Sequence, residues 1–289
     1  MHNSAPSEIE MFIPMMEGVD LQAMTKGKLL ALGRTAEVYE WRDGQVLKLF
    51  YDWCPADWAK HEASIARIEN AKWVDAPKFI ETATIDGRNG IIFERVNGIS
   101  MLSLMSKDPL QIRKQARLFA ELQSEINSSA GEDLPAMRPY LESSIAQGAS
   151  LCEEMKSQLL SRLADLRDGT SLCHMDFHSD QVLICARGPV VLDWITALQG
   201  NRMADIARSM VLLQFAQALH LNWMAHSAVN LFRRIFTRAY LKRCMELHHD
   251  ISDAEINKWM VVVAAARLKE GIKEEQGVIL QYIKRELAQ

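Results

Sequence analysis

The chain has 289 residues, with 33 Lys and Arg against 37 Asp and Glu, a formal charge of −4, and 48% hydrophobic content. This composition excludes a disordered chain, a collagen-like repeat and a small disulfide scaffold, and the acidic balance excludes nucleic-acid binding through bulk positive charge. The length suits two domains, or one domain in two lobes. Five scattered cysteines, Cys54, Cys152, Cys173, Cys185 and Cys244, form no CxxC pair, so reduced thiols and a cytoplasmic location are expected. The first twenty residues carry Glu8, Glu10, Glu17 and Asp20 and lack a basic start, so no signal peptide is expected. The apolar stretch 210–225 is broken by Gln214, Gln217, His220 and Asn222, short of the ~20 apolar residues of a membrane span. Neither a membrane nor a nucleic acid is an expected partner.

In chain order, the first third reads as strands. Apolar and β-branched residues over 28–41 surround Gly33, a turn follows at Arg42-Asp43-Gly44, and 45–50 gives a second strand of a hairpin. Pro55 then opens a helix to about residue 71. A second hairpin runs over 79–96, turning around Asp86-Gly87. Helical periodicity begins after Gly98. Asp108 and Pro109 form an N-cap and first-turn pair, and Ile112, Ala116, Phe119, Leu122 and Ile126 make one apolar face. Further helices are expected over 137–168 and 203–249. The last starts at Ser252, with Glu255 completing a capping box and Ile251 and Ile256 a hydrophobic staple. Between these helices lies a β-like island at 171–193.

That island concentrates the chemistry. Cys173-His174-Met175-Asp176-Phe177-His178-Ser179-Asp180-Gln181 is the densest polar cluster of the chain, and a second apolar strand ends in Asp193. Two strands joined at Arg187-Gly188 bring Asp176, Gln181 and Asp193 to one end, and such oxygen donors suit a hard cation like Mg²⁺. Carboxylates between apolar strands are costly without a partner, which argues against a purely structural role.

The cluster resembles the H-x-D-x-x-x-x-N loop of the aminoglycoside phosphotransferase and choline kinase family, relatives of protein kinases. The resemblance extends over about 28–289. Ala31-Leu32-Gly33-Arg34-Thr35-Ala36-Glu37-Val38 follows the Gly-rich loop pattern, with Ala31 and Ala36 in glycine positions. Val46-Leu47-Lys48 matches the strand lysine, Glu62 its helix partner, Ile92-Phe93-Glu94-Arg95-Val96 the hinge, and Asp205 in A-D-I-A-R the segment that supports the active site. It implies an α+β, two-lobed protein-kinase-like fold: a small β-rich N-lobe at 28–98, a larger, mainly helical C-lobe at 99–289, and an extension at 1–27.

It further implies an ATP- or GTP-dependent transfer of the γ-phosphoryl group to a hydroxyl of a small molecule, with an aminoglycoside-, choline-, homoserine- or sugar-like acceptor. Asp176 would be the catalytic base and His174 a brace for its loop. Gly33, Thr35, Val38, Lys48, Glu62, Glu94 and Val96 would surround the nucleotide, and Gln181 and Asp193 would hold Mg²⁺. The protein would act as a monomer or homodimer. Departures from the pattern are Gln181 for Asn, Met175 for Gly, and Gln123 for a helix His.

Two other readings compete. The departures suit a kinase-like nucleotide sensor with little transfer activity. Alternate spacing of His174, Asp176, His178 and Asp180 would suit a metallohydrolase, if those residues lay on one strand face. His178 and Asp180 are expected to be structural or solvent-facing, with acceptor contact the sharper alternative for His178. Trp223, Tyr240, Trp259 and Tyr282 are expected mostly in the core. Residues 205–289 hold twelve basic against nine acidic side chains, which gives no bulk support for a polycationic acceptor, although Glu270 or Glu274 could supply one locally.

Overall fold

The structure, a computed structural model, describes residues 26–69, 75–216 and 223–288. Its smaller part is a five-stranded antiparallel sheet made by β1 (Leu29–Leu32), β2 (Ala36–Glu40), β3 (Gln45–Phe50), β4 (Phe79–Ile85) and β5 (Arg88–Glu94), in the order β1-β2-β3-β5-β4. A single helix, α1 (Asp57–Glu69), packs against it.

Strand alternation decides which face each residue of β3 serves. Leu47 and Leu49 pack with Ile85 and Ile92, while Phe50 packs on the opposite face with Ala36, Ala59, Ala63 and Ile91. Lys48 shares the second face, towards α1. On that helix Ala59, Glu62, Ala63 and Ala66 recur at helical spacing and are all buried. Three alanines let the helix approach closely, so Glu62 is carried into the interior beside Lys48.

The larger part is mainly helical. After β6 (Gly98–Ser100) come α2 (Met101–Lys107), α3 (Ile112–Ser128), α4 (Met137–Gln147) and α5 (Glu153–Ala164). Short strands follow, β7 (Ser171–Cys173), β8 (Val182–Cys185), β9 (Gly188–Val191) and β10 (Leu198–Gly200), then α6 (Arg202–Phe215), α7 (Trp223–Leu247), α8 (Asp253–Arg267) and α9 (Lys273–Leu287). Strands β6, β8 and β9 form one small sheet and β7 with β10 another. The core joins α3, α6, α7 and α8 around Phe119, which stacks on Phe177 at 4.2 Å and meets Phe236 and Tyr240 edge-on. Tyr240 and Trp259 are buried and Tyr282 packs on the core, whereas the side chain of Trp223 lies outside the described residues.

Several boundaries differ from the sequence expectation. The stretch 28–41 is two strands, because the chain turns at Gly33, whose N–H donates to Ala36 O at 2.8 Å. Helix α1 starts at Asp57, two residues after Pro55, and the predicted end near 71 lies outside the described residues. Asp108 and Pro109 open a short 3-10 turn leading into α3, with Asp108 accepting from Leu110 N–H. The helical span expected over 137–168 holds α4 and α5, separated at Gly148, and that over 203–249 holds α6 and α7. Ser252 does cap α8, accepting from Glu255 N–H at 3.3 Å, but Gly271 at φ 69° separates α8 from α9. Among the described residues no helix is long and apolar enough to cross a membrane.

Candidate active site

A cleft of about 1820 Å³ runs between the sheet and the helical part. On its sheet side Lys48 Nζ lies 2.7 and 2.8 Å from the two Glu62 oxygens and 2.9 Å from Asp193 Oδ1. Burial would lower the Lys48 pKa, but Asp193 and Glu62 outweigh it and hold the ammonium above its ordinary value. Burial pushes the Glu62 carboxyl up to about 7, with Lys48 pulling against that rise and Asp193 adding to it. Asp193 is favoured as the carboxylate, since Lys48 and the Gln181 amide overcome its burial. Residues far apart in the chain thus meet at one cation, and Asp193 remains a third exposed to the cleft.

The loop between β7 and β8 is held from below. His174 is fully buried: its Nε2 meets Leu192 O at 3.0 Å and its Nδ1 accepts from Asp176 N–H at 3.3 Å. That pattern places the ring proton that faces Leu192 on Nε2. Met175 sits at φ 61°, a left-handed conformation that explains why glycine suits this position. Both of its backbone groups are tied to α6, the N–H to Asp205 Oδ1 and the carbonyl to Arg208 Nε, each at 2.8 Å. Buried Asp205 also accepts from Gln123 and Asn127, so Gln123 serves as a donor to the same carboxylate. This anchoring presents Asp176 to the cleft, with Arg208 Nη2 at 3.3 Å from one oxygen and His178 Nε2 at 3.9 Å from the other. Burial lowers the His178 pKa, with Asp176 opposing it, so the ring is neutral at pH 7.

Gly33, Thr35, Val38, Lys48, Glu62, Glu94, Val96, Asp176, Gln181 and Asp193 all line the one cleft, and His174 lies beneath it. The Glu94 N–H donates to Lys78 O at 2.9 Å and its side chain pairs with Arg187. Gln181 turns its Nε2 towards Asp193 Oδ2 at 3.4 Å and braces that carboxylate; to ligate a cation it must present its oxygen instead. Ala36 also lines the cleft at the start of β2, with its methyl buried in the cluster that holds Phe50. The metallohydrolase pattern is not realised. The segment 174–181 is a loop, His174 faces inward, and the described residues contain no cluster of three or more His, Cys, Asp or Glu placed to hold a metal.

Sequence reasoning did not find the ionic chain behind Asp176. Arg208 Nη2 also meets Glu270 Oε1 at 2.6 Å, and Glu270 Oε2 pairs with Arg34 and Arg267 at 2.9 and 2.8 Å. Arg267 in turn grips Glu275 through two nitrogens. Burial would raise the Glu270 pKa, but Arg208, Arg267 and Arg34 hold it down to about 2. The D-x-A-R spacing that places Arg208 one turn after Asp205 was the available signal; nothing local predicts Glu270 as its partner.

A two-lobed molecule with a lysine–glutamate pair, a cleft-facing aspartate beside it and a loop aspartate on the same cleft is organised as a protein-kinase-like phosphotransferase. Residues 28–248 match the family model for the phosphotransferase enzyme family (APH), and the chain belongs to that family. It is a small-molecule kinase. No curated protein sequence matches it. Among solved structures it is similar to a thermostable mutant of aminoglycoside phosphotransferase APH(4)-Ia, with 13% identity, TM-score 0.60, and coverage of 91% of this chain and 93% of that one. It is also similar to aminoglycoside-3'-phosphotransferase of type VIII, with 19% identity, TM-score 0.58, and coverage of 83% and 91%. The gentamicin complex of APH(2")-IIa gives 16%, 0.57, 91% and 90%. At these identities the likeness is one of fold.

Proposed function

We propose that the protein transfers the γ-phosphoryl group of ATP or GTP to a hydroxyl of a small molecule. Residues 28–98 would form the nucleotide lobe and 99–289 the lobe carrying the catalytic loop and acceptor site. The observation that carries this reading is the meeting of Lys48, Glu62 and Asp193 on a cleft that Asp176 also lines. Similar structures solved with GDP, with gentamicin and with streptomycin and ATP support the nucleotide and a small-molecule acceptor.

In this reading Lys48, oriented by Glu62, holds the nucleotide phosphates as a fixed point charge. Asp176 orients the acceptor hydroxyl and takes its proton as the oxygen forms a bond to the γ-phosphorus. The bond to the β-phosphate oxygen breaks, and the nucleoside diphosphate leaves with the electron pair. Asp193, with Gln181 once its amide oxygen turns inward, would hold Mg²⁺; these are the hard oxygen donors that ion prefers. When bound, Mg²⁺ supplies charge neutralisation between phosphates. His174 acts only by positioning Asp176, through the hydrogen bond its ring accepts. All five cysteines are free, which supports a cytoplasmic site of action.

Asp176→Asn tests the assignment. Transfer should fall by about 10²- to 10⁴-fold while nucleotide affinity stays near wild type. A variant that turns over normally rejects Asp176 as the base.

A further inference from the structure

We infer that the acceptor is an amphiphilic alcohol, an apolar body bearing a hydroxyl and an anionic or neutral end, and not a polycationic aminosugar. The inference rests on the phosphotransferase reading and names its substrate class.

Past Asp176 the cleft continues along α6 and α7, where Leu212, Ala216, Val229, Phe232 and Ile235 line it, joined by Ile272. Its rim is apolar as well. Leu30, Leu32, Leu102, Leu110 and Leu231 all line the cleft, and they are half of the exposed large hydrophobic side chains among the described residues. Leu30 and Leu32 precede the Gly33 turn on the nucleotide side; away from it Leu110 is 94% exposed and Leu231 58%, apolar surface that a ligand would cover.

Charge points the same way. Between Asp205 and Glu246 the sequence holds no acidic residue but six basic ones, Arg208, Arg233, Arg234, Arg238, Lys242 and Arg243. The carboxylates near this end are already engaged: Asp176 by Arg208, Glu270 by three arginines, and Glu275 by Arg267. Asp180 is the one cleft-lining carboxylate with no cation within ion-pair distance among the described residues. Several ammonium groups entering here would lose water without gaining partners, which is strongly unfavourable. Arg233, half-buried on the lining, donates one N–H to Ala216 O; Glu275 acts on its charge, but no carboxylate lies within ion-pair distance of it among the described residues, so further N–H groups suit an anion. A hydroxyl at Asp176, an apolar stem along α7 and an anionic end at Arg233 fit this order of groups.

The test uses the full chain with ATP and Mg²⁺, and unbranched ω-hydroxyalkanoates of increasing length against kanamycin, followed by ADP release and by detection of the phosphate ester. KM should fall about fourfold per added methylene, kanamycin should not be phosphorylated, and Val229→Asp should raise KM for the longest acid at least tenfold. Unchanged ATP affinity certifies that the variant is folded. Phosphorylation of kanamycin, a KM independent of chain length, or no transfer to any of the hydroxy acids by protein that binds ATP overturns the inference. Failure to bind ATP at all would instead overturn the phosphotransferase reading beneath it.

Discussion

On the sheet side of the cleft one ammonium, Lys48, meets two carboxylates within 2.9 Å, whereas the helical side gathers three arginines on Glu270 between apolar walls. The first arrangement leaves a carboxylate facing the cleft, as binding metal and phosphate requires. The second consumes its carboxylates internally and leaves apolar surface and cationic donors for the ligand. In the reading proposed above, one end suits a highly charged molecule and the other a sparingly charged one.

The largest effect should come from removing the cation on the sheet side. Lys48→Ala leaves Glu62 buried without its partner, so unfolding should become easier by about 3–5 kcal/mol and nucleotide affinity should be lost. Denaturant unfolding with and without ATP measures both. If Lys48→Ala retains both stability and ATP binding, the ion cluster is not what organises this end.

On the helical side the pH dependence of stability separates the two clusters. Glu270 is held at about 2, below the ordinary 4.5, so its contribution is complete above about pH 4.5 and is lost as pH falls towards 2. That contribution is on the order of 2–3 kcal/mol. Glu270→Gln should therefore be less stable than wild type at pH 6, and the gap should narrow as the pH is lowered from 4.5. A gap that is constant with pH would mean that Glu270 acts through packing alone.

The smallest effect is expected at the link between the two sides. Arg34, on the loop after β1, is 60% exposed and reaches Glu270 across the cleft. Arg34→Ala should change stability by no more than about 0.5 kcal/mol, because the pair is largely hydrated and Glu270 keeps Arg208 and Arg267. Its effect belongs in the acceptor and nucleotide KM values measured at low salt, and a large loss of stability would contradict this account.

The same contrast explains what could be read in advance. Lys48, Glu62, Asp176 and Asp193 were visible because their motifs resemble the family's and follow its order and spacing; taken alone, Lys48 reads as a strand-edge lysine and Glu62 as a solvated helix residue. The two hairpins and the Ser252 cap were readable from local turn and capping rules. Strands β6 and β10 were not, since three residues each carry no periodicity and exist only because β8 and β7 offer edges. The Arg208–Glu270–Arg267–Glu275 chain escaped because it joins α6 to the segment around Gly271, where the helix was expected to continue. The Gln181 amide orientation depends on Asp193, twelve residues away. Ordered motifs announced the sheet side of the site; tertiary packing composed the other.

The most direct test of the central claim is calorimetric titration of ATP, with and without Mg²⁺, into wild type and Asp193→Asn. Binding to wild type should strengthen when Mg²⁺ is present, and that Mg²⁺ dependence should disappear in the variant, which keeps the shape of Asp193 but not its charge. Equal Mg²⁺ dependence in both proteins, or no ATP binding to wild type under either condition, would contradict the account.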